Sequence, residues 1–340
     1  MEYYDGTALT QKMDINGRKP EIYMVSGNKT GGKTTWFNKY MVERFKKKKE
    51  QFMIVNRWRH ENNGIDQTIF SDIQGLFFPE DTMTSKIKAN GSYAEIYLNG
   101  DICGYAVALS CADGLKKRSH IFNRVQRMFM DEFQAESGRY VPNEVEKMHT
   151  LHTLVARGHG KKVRYVPLYM ASNAYTLLNP YFIQFGLTEK INNTTRFIKG
   201  NGFVYQHYIN KEAKEEQQES GFNRAYAGTK VEAYANEAIY MDSRAFIMKP
   251  AEKTRYRATI HTQAGAIAVA EGERYIYITQ AVDETNANKI AASNEASEAG
   301  YKVRTEYIRT LEQAYRIGII RFQSIEAKDR FYQAIRESKR

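Results

Sequence analysis

Gly27-Asn28-Lys29-Thr30-Gly31-Gly32-Lys33-Thr34 reads G-x-x-x-x-G-K-T. Its flanks give the pattern physical meaning. An apolar run, Ile22-Tyr23-Met24-Val25, leads in, and a helix-compatible run, Thr35 to Lys48, leads out. Strand, glycine-rich loop and helix in that order make a P-loop. Its backbone N–H groups and the helix N-terminus form an anion site. The residues expected to hold a nucleotide are therefore Gly27, Asn28, Lys29, Thr30, Gly31, Gly32, Lys33, Thr34 and Thr35. Within that set, Lys33 reaches for the β- and γ-phosphates and Thr34 for Mg²⁺.

A magnesium site needs a carboxylate as well, at the end of an apolar strand expected beside the P-loop strand. Met128-Phe129-Met130-Asp131-Glu132 fits. Asp131 is the expected metal residue, directly or through water, and Glu132 the general base that polarises an attacking water. An Asp-Glu pair favours hydrolysis by a motor-type ATPase over a kinase or a GTPase. The next apolar run, Val163–Ala171, ends in Ser172-Asn173, and Asn173 is the candidate γ-phosphate sensor. Arg157, in the loop Ala156-Arg157-Gly158-His159-Gly160, is a candidate arginine finger toward a neighbouring subunit, or else a solvated side chain.

The chain has 340 residues, a length that suggests two domains. Lys+Arg of 50 against Asp+Glu of 39 leaves a net charge of +11, which points to a polyanion such as nucleic acid or an anionic membrane. Cys103 and Cys111 both lie in an apolar stretch and read as free thiols of a reducing compartment; without a nearby His pair they make no zinc site. The N-terminus, Met1-Glu2-Tyr3-Tyr4-Asp5, has no apolar core and is not expected to be a signal peptide. Tyr165–Thr188 carries no charge, but Pro167, Ser172, Asn173, Asn179, Pro180 and Gln184 argue against a membrane helix, and a buried strand followed by a loop and a short helix fits better.

Strand signals at Ile22–Ser26, Phe52–Asn56, Arg127–Met130 and Val163–Ala171 alternate with helix signals at Thr34–Lys48, Asp113–Val125 and Val141–Val155. That alternation predicts a largely parallel sheet covered by helices. Asn90-Gly91 and Asn99-Gly100 are turn signals of an inserted β-ribbon over Lys86–Ser110. Thr195–Ile209 reads as extended. Asn210–Ser220 is almost wholly polar and reads as a linker helix or mobile segment. Three further runs, Tyr256–Gln263, Ala266–Ala270 and Tyr275–Gln280, form an antiparallel meander. Helices are expected at Ala287–Ala299, Lys302–Arg316 and Ile325–Glu337, with a strand at Ile319–Gln323. The organisation expected is an ATPase domain over 1–195, a linker over 196–230 and a second domain over 231–340.

Several runs extend these motifs. Tyr140-Val141-Pro142-Asn143-Glu144-Val145 follows Asp131-Glu132-Phe133; then come Ser172-Asn173-Ala174 and Asn179-Pro180-Tyr181-Phe182. Glu50-Gln51-Phe52-Met53-Ile54-Val55 precedes an arginine-rich strand end. In these the chain resembles the DNA packaging ATPases (encapsidation proteins) of small, short-tailed Bacillus-type phages, most strongly over 20–186 and more weakly over 230–340. The resemblance implies an α/β P-loop NTPase of the additional-strand (ASCE) ring-translocase type, followed by a smaller α+β RNase H-like, degenerate nuclease domain. It also implies a homopentameric ring that uses ATP and Mg²⁺ to drive double-stranded DNA into a capsid at its portal vertex, within the host cytoplasm and with no membrane partner. A structural packaging RNA is a further implied partner. Lys33, Thr34, Asp131, Glu132 and, as trans finger, Arg157 carry the family roles. Around Arg157 the family has closely spaced arginines, whereas here His159, Lys161, Lys162 and Arg164 follow.

The family's pore-lining basic residue follows the second core strand. Asn56-Arg57-Trp58-Arg59-His60 stands there, making Arg57 and above all Arg59 DNA candidates, with Lys116, Lys117 and Arg118 in a second basic loop. Such residues neutralise phosphates without reading bases, as suits a motor that must grip any sequence. Lys46–Lys49 ends the P-loop helix, where positive charge favours the macrodipole.

A nuclease needs clustered carboxylates to hold two metals. Arg257–Thr262 and Ala266–Ala270 contain none, so no nuclease activity is expected. The alternatives to a packaging motor are a terminase-like ATPase that also cuts DNA and a P-loop DNA-binding switch without processive motion.

Overall fold

A computed structural model describes residues 4–157, 163–177, 179–188, 190–191, 195–210, 212, 215, 220–225, 250, 253–298, 300–316 and 319–338. They fall into two compact units. The first contains α1 (Thr7–Thr10), β1 (Ile22–Gly27), α2 (Lys33–Lys48), β2 (Gln51–Asn56), α3 (Ile65–Phe77), β3 (Met83–Lys88), β4 (Tyr93–Leu98) and β5 (Asp101–Ala108). It continues through α4 (Ala112–Leu115), β6 (Val125–Met130), α5 (Glu144–Ala156), β7 (Leu168–Asn173), α6 (Pro180–Gln184), β8 (Phe197–Gly200), β9 (Phe203–Tyr208) and α7 (Gly221–Ala225).

Nine strands make one sheet in the order β3-β4-β5-β2-β6-β7-β1-β9-β8. The six from β5 to β9 in that order run parallel. Their residues are apolar on both faces, as a sheet covered on both sides requires; β2 and β7 are buried at five of six positions. Helix α2 covers one face. Phe37, Met41 and Phe45, spaced four apart, point inward, and Phe37 stacks on Phe129 with ring centroids 5.0 Å apart.

Several expectations need correction. The Asp131 strand is not beside the P-loop strand: β7 pairs with both β6 and β1 and separates them. That intervening strand is the additional strand of the expected fold class. Strand β7 begins at Leu168 rather than Val163, because Pro167 offers no N–H to a ladder, while its carbonyl accepts from Met128 N–H at 2.9 Å. The expected ribbon is part of the main sheet, since β5 pairs in parallel with β2. Its turns stand where expected, with Asn90, Gly91, Asn99 and Gly100 all at positive φ.

The expected helix over Asp113–Val125 is only the four-residue α4 followed by 3₁₀ turns over Lys116–Phe122, and Val125 already opens β6. The linker expected over 196–230 begins too early. Strand β9 pairs with β1 over Phe203–Tyr208 and β8 closes the edge, because Val204 and Tyr205 bury completely against the sheet. Most of the polar segment Asn210–Ser220 lies outside the described residues.

The second unit contains β10 (Arg255–Thr262), β11 (Gly265–Glu271), β12 (Ile276–Thr279), β13 (Lys289–Ala291), β14 (Lys302–Val303), α8 (Thr305–Arg316), β15 (Ile320–Phe322) and α9 (Ile325–Glu337). Its sheet order is β14-β13-β10-β11-β12-β15. The meander β10-β11-β12 is antiparallel, and β13, β14 and β15 join it in parallel. This mixed order agrees with an RNase H-like sheet. Residues 289–291 are strand rather than the expected helix: Ile290 and Ala291 are fully buried beside β10, so tertiary pairing overrides alanine's helix preference. Among the described residues, no group of three or more His, Cys, Asp or Glu side chains is placed to hold a metal.

At Gly27, the last residue of β1, the β9 backbone lies close: a Cβ there would be 2.1 Å from the Tyr208 carbonyl oxygen. Gly27→Ala is expected to destabilise the first unit by about 1–3 kcal/mol in denaturant unfolding. Gly75→Ala, on the open face of α3 with nothing within 4 Å, should instead be neutral or stabilise by about 0.5–1 kcal/mol.

Candidate active site

The six parallel strands all end on one edge of the sheet, so the loops after β1, β6 and β7 converge there. After β1, Thr30 (φ +57°) and Gly32 (φ +81°) turn the chain back on itself, and α2 starts at Lys33. Two side-chain tethers hold this loop from outside. Asn28 is fully buried; its Nδ2 donates to the Asn210 carbonyl at 3.0 Å and its Oδ1 accepts from Asn210 N–H at 2.9 Å. Lys29 pairs with Glu136 at 3.1 Å.

The loop and the two strand ends enclose a cavity of about 210 Å³. It is lined by Thr30 through Thr35, Asp131, Glu132, Ser172 and Asn173. Six expected nucleotide residues thus meet the expected metal, base and sensor residues in one space. Gly27 ends β1 behind it, Asn28 anchors the loop there, and Lys29 pairs with Glu136 at its flank.

Thr34 Oγ1 donates to Asp131 Oδ2 at 2.8 Å, closing the first turn of α2 onto the end of β6. Lys33 is buried and its ammonium donates to the Asn28 carbonyl at 2.6 Å. Burial pulls its pKa down to about 8, partly offset by the Asp131 charge. Burial pushes the Asp131 carboxyl up against the opposing pull of Thr34, the Glu132 N–H and Lys33. Desolvation, then the Asp131 and Glu136 charges, raise Glu132 too. Glu132 also holds φ at +50°, a left-handed conformation that a non-glycine residue keeps only under constraint. A carboxylate poorly solvated beside a threonine hydroxyl suits a hard cation with oxygen ligands.

Two residues that sequence reasoning passed over belong to the site. Ser172 Oγ is buried on the cavity wall and makes no hydrogen bond, an orphan that a ligand or water would satisfy. It adjoins Asn173, so the strand-tip argument reached its neighbour. Glu136 accepts from Asn173 Nδ2 at 3.2 Å as well as from Lys29. No motif marks it, because its role arises only where two loops meet.

Arg57, expected among the DNA contacts, is not available to DNA. It is buried, its Nε donates to both carboxylate oxygens of Glu144 at 3.0 and 3.1 Å, and its Nη1 donates to the Glu132 carbonyl at 2.6 Å. Its Nη2 donates to the Phe133 carbonyl. The guanidinium is a brace beneath the strained Glu132. Glu144 is buried as well and accepts from Tyr181 Oη and Val141 N–H. The strand signal alone placed Arg57 after β2; only the packing of α5 and α6 turned it inward.

Arg59, Lys116, Lys117 and Arg118 are all exposed. Their two loops are joined by Ser110 N–H to the Arg57 carbonyl at 3.1 Å and by Arg59 Nε to Cys111 Sγ at 2.9 Å. Arg157 is exposed at the C-terminal end of α5, and the following residues, His159, Lys161 and Lys162 among them, lie outside the described ones. Arg164 instead caps carbonyls of Val125 and Val155. Lys46 pairs with Asp81 and Lys49 with Asp101.

Comparison with known proteins places this geometry. Residues 9–339 match the family described as "Podovirus DNA encapsidation protein (Gp16)". The DNA packaging protein of Bacillus phage B103 is 26% identical over 315 residues, covering 89% of this chain and 92% of that protein. The DNA packaging protein of Bacillus phage phi29 is 25% identical over 326 residues, 93% of each. Among solved structures, a chain of the bacteriophage Phi-29 viral genome packaging motor assembly shares the fold with a TM-score of 0.70 at 20% identity, over 99% of both chains. A chain of the Phi-28 DNA packaging motor has a TM-score of 0.62 at 15% identity, over 99% of this chain and 97% of that one.

Breaking the brace should be costly. Glu144→Ala strands a buried guanidinium and is expected to destabilise the chain by roughly 3–5 kcal/mol in denaturant unfolding. Glu144→Gln, which keeps an acceptor for Arg57, should lose clearly less.

Proposed function

From the podovirus DNA encapsidation protein family, to which this chain belongs, we propose an ATP-driven motor that moves double-stranded viral DNA into a preformed capsid. The observation that carries the ATPase reading is the hydrogen bond from Thr34 to Asp131 across a cavity that also holds Lys33 and Glu132. P-loop, strand-end carboxylate and adjacent base lie within one small space, as phosphoryl transfer to water needs.

In this reading Lys33 and the loop N–H groups hold the β- and γ-phosphates. Thr34 and Asp131 hold Mg²⁺, which when bound neutralises charge on the phosphate oxygens. Glu132 accepts the proton of the attacking water, its backbone fixed by Arg57 from below. Asn173, positioned by Glu136, senses the γ-phosphate. Arg157 acts in trans in a homopentameric ring at the portal vertex. Arg59 and Lys116–Arg118 contact DNA phosphates. The second unit serves nucleic-acid or capsid contacts, including a structural RNA, without cutting DNA.

Lys33→Ala should abolish ATP turnover, while Glu132→Gln should bind ATP and turn over at least about a hundredfold more slowly, both read as phosphate release. Unchanged turnover in either variant would remove that residue from its role. Double-stranded DNA should stimulate the wild type, with the stimulation falling steeply as salt rises; salt-insensitive stimulation would contradict phosphate gripping. Arg157→Ala subunits mixed with Glu132→Gln subunits should regain part of the lost activity, and a mixture as inactive as its components would exclude the trans role.

A further inference from the structure

We infer that Gln134 is a positioning residue for ATP hydrolysis, which sets the Glu132 base and the loop after β7 against one another. The inference rests on the ATPase reading above and adds to it a residue that does not line the cavity.

The ladder between β6 and β7 ends at Met130 with Met170, and one more backbone bond follows, from Phe133 N–H to the Ala171 carbonyl at 3.2 Å. Glu132 and Asn173 both stand past that ladder. Gln134 continues the connection with its side chain. It is 1% exposed, and its Oε1 accepts from Tyr175 N–H at 3.1 Å and from Thr176 N–H at 3.0 Å. Because both neighbours are donors, the amide oxygen must face this loop and the nitrogen must turn away. Nε2 is buried and takes no hydrogen-bond partner among the described residues. Burying an unsatisfied amide nitrogen is unfavourable, so what this side chain contributes is its oxygen.

The loop that Gln134 holds is fastened on either side. Ala174 N–H donates to the Gly27 carbonyl at 3.0 Å, where the P-loop begins. Asn179 Nδ2 donates to the Thr176 carbonyl at 2.9 Å, and its Oδ1 caps α6 by accepting from Phe182 N–H at 2.9 Å. Tyr181, on that helix, donates to Glu144, the partner of Arg57. A closed circuit of contacts therefore runs from the Glu132 carbonyl through Arg57, Glu144, α6 and Thr176 to Gln134. A left-handed backbone such as that of Glu132, at φ +50°, persists only where its surroundings hold it. Arg57 holds it at the carbonyl, and Gln134 holds the chain on its C-terminal side.

Phosphoryl transfer to water needs base, water and phosphate kept in line. A side chain that acts by placement alone changes turnover and leaves nucleotide binding as it was.

The test pairs phosphate release with calorimetric titration of a non-hydrolysable ATP analogue, on the full chain in magnesium. Gln134→Leu fills much the same space without an acceptor. It is expected to lower kcat about tenfold or more, with KM and analogue affinity within about twofold of wild type. Gln134→Asn keeps an amide but falls one methylene short of the two N–H groups. It should lose turnover similarly, and it stands in should the Leu variant fail to fold. Gln134→Glu, which retains an acceptor for both, should recover to within about threefold of wild type. In a Glu132→Gln background, Gln134→Leu should remove little more, since the two act on one step. Wild-type turnover in the Leu or Asn variant overturns the positioning role alone. So does a matching loss of analogue affinity, a Glu variant no better than the Leu one, or a full further loss in the Glu132→Gln background. Full turnover in Glu132→Gln itself overturns the base assignment, and this inference with it.

Discussion

One hydrogen bond, from the Thr34 hydroxyl to the Asp131 carboxylate, joins the helix that follows β1 to the end of β6, and those two strands do not pair. Strand β7 lies between them, so the bond forms only because all three strands are parallel and end at the same level. The P-loop would be an anion cradle without it. With it, the cradle faces a carboxylate, and the tip of β7 delivers Ser172 and Asn173 into the gap. The parallel order of β6, β7 and β1 is thus the constraint on which the site depends.

A second layer of the structure holds that arrangement under strain. Glu132 stands in a left-handed conformation, and the carbonyls of Glu132 and Phe133 are both held by Arg57. The guanidinium is in turn held by Glu144 at the start of α5. A buried ion pair contributes little net stability, but its geometry is exacting. It suits a place where one backbone conformation must be kept. Because Arg57 shares its short segment with the exposed Arg59, the brace beneath Glu132 and the candidate DNA contact are two residues apart along the chain.

The two basic loops lie on the same sheet edge. Strands β2 and β5 end beside one another, and the backbone bond from Ser110 to Arg57 ties the segments that follow. Exposed positive charge therefore collects on the edge that also carries the P-loop cavity.

Much was determined by the sequence alone. The P-loop, the Asp131-Glu132 pair, the helices α2 and α9 and the three-strand meander rest on local rules: glycine where φ must be positive, apolar spacing that matches an element's period, and carboxylates at a strand end. Local rules act between residues close in sequence, so they can be read there. What the tertiary structure decided concerns partners far apart in the chain. It put β7 between β1 and β6, drew β8 and β9 out of the expected linker into the sheet, and made a strand of the alanine-rich residues 289–291. It turned Arg57 inward onto Glu144 and brought Glu136 between Lys29 and Asn173. None of these could be read from spacing, because each depends on which long-range pairing buries the most apolar surface while leaving every buried charge a partner.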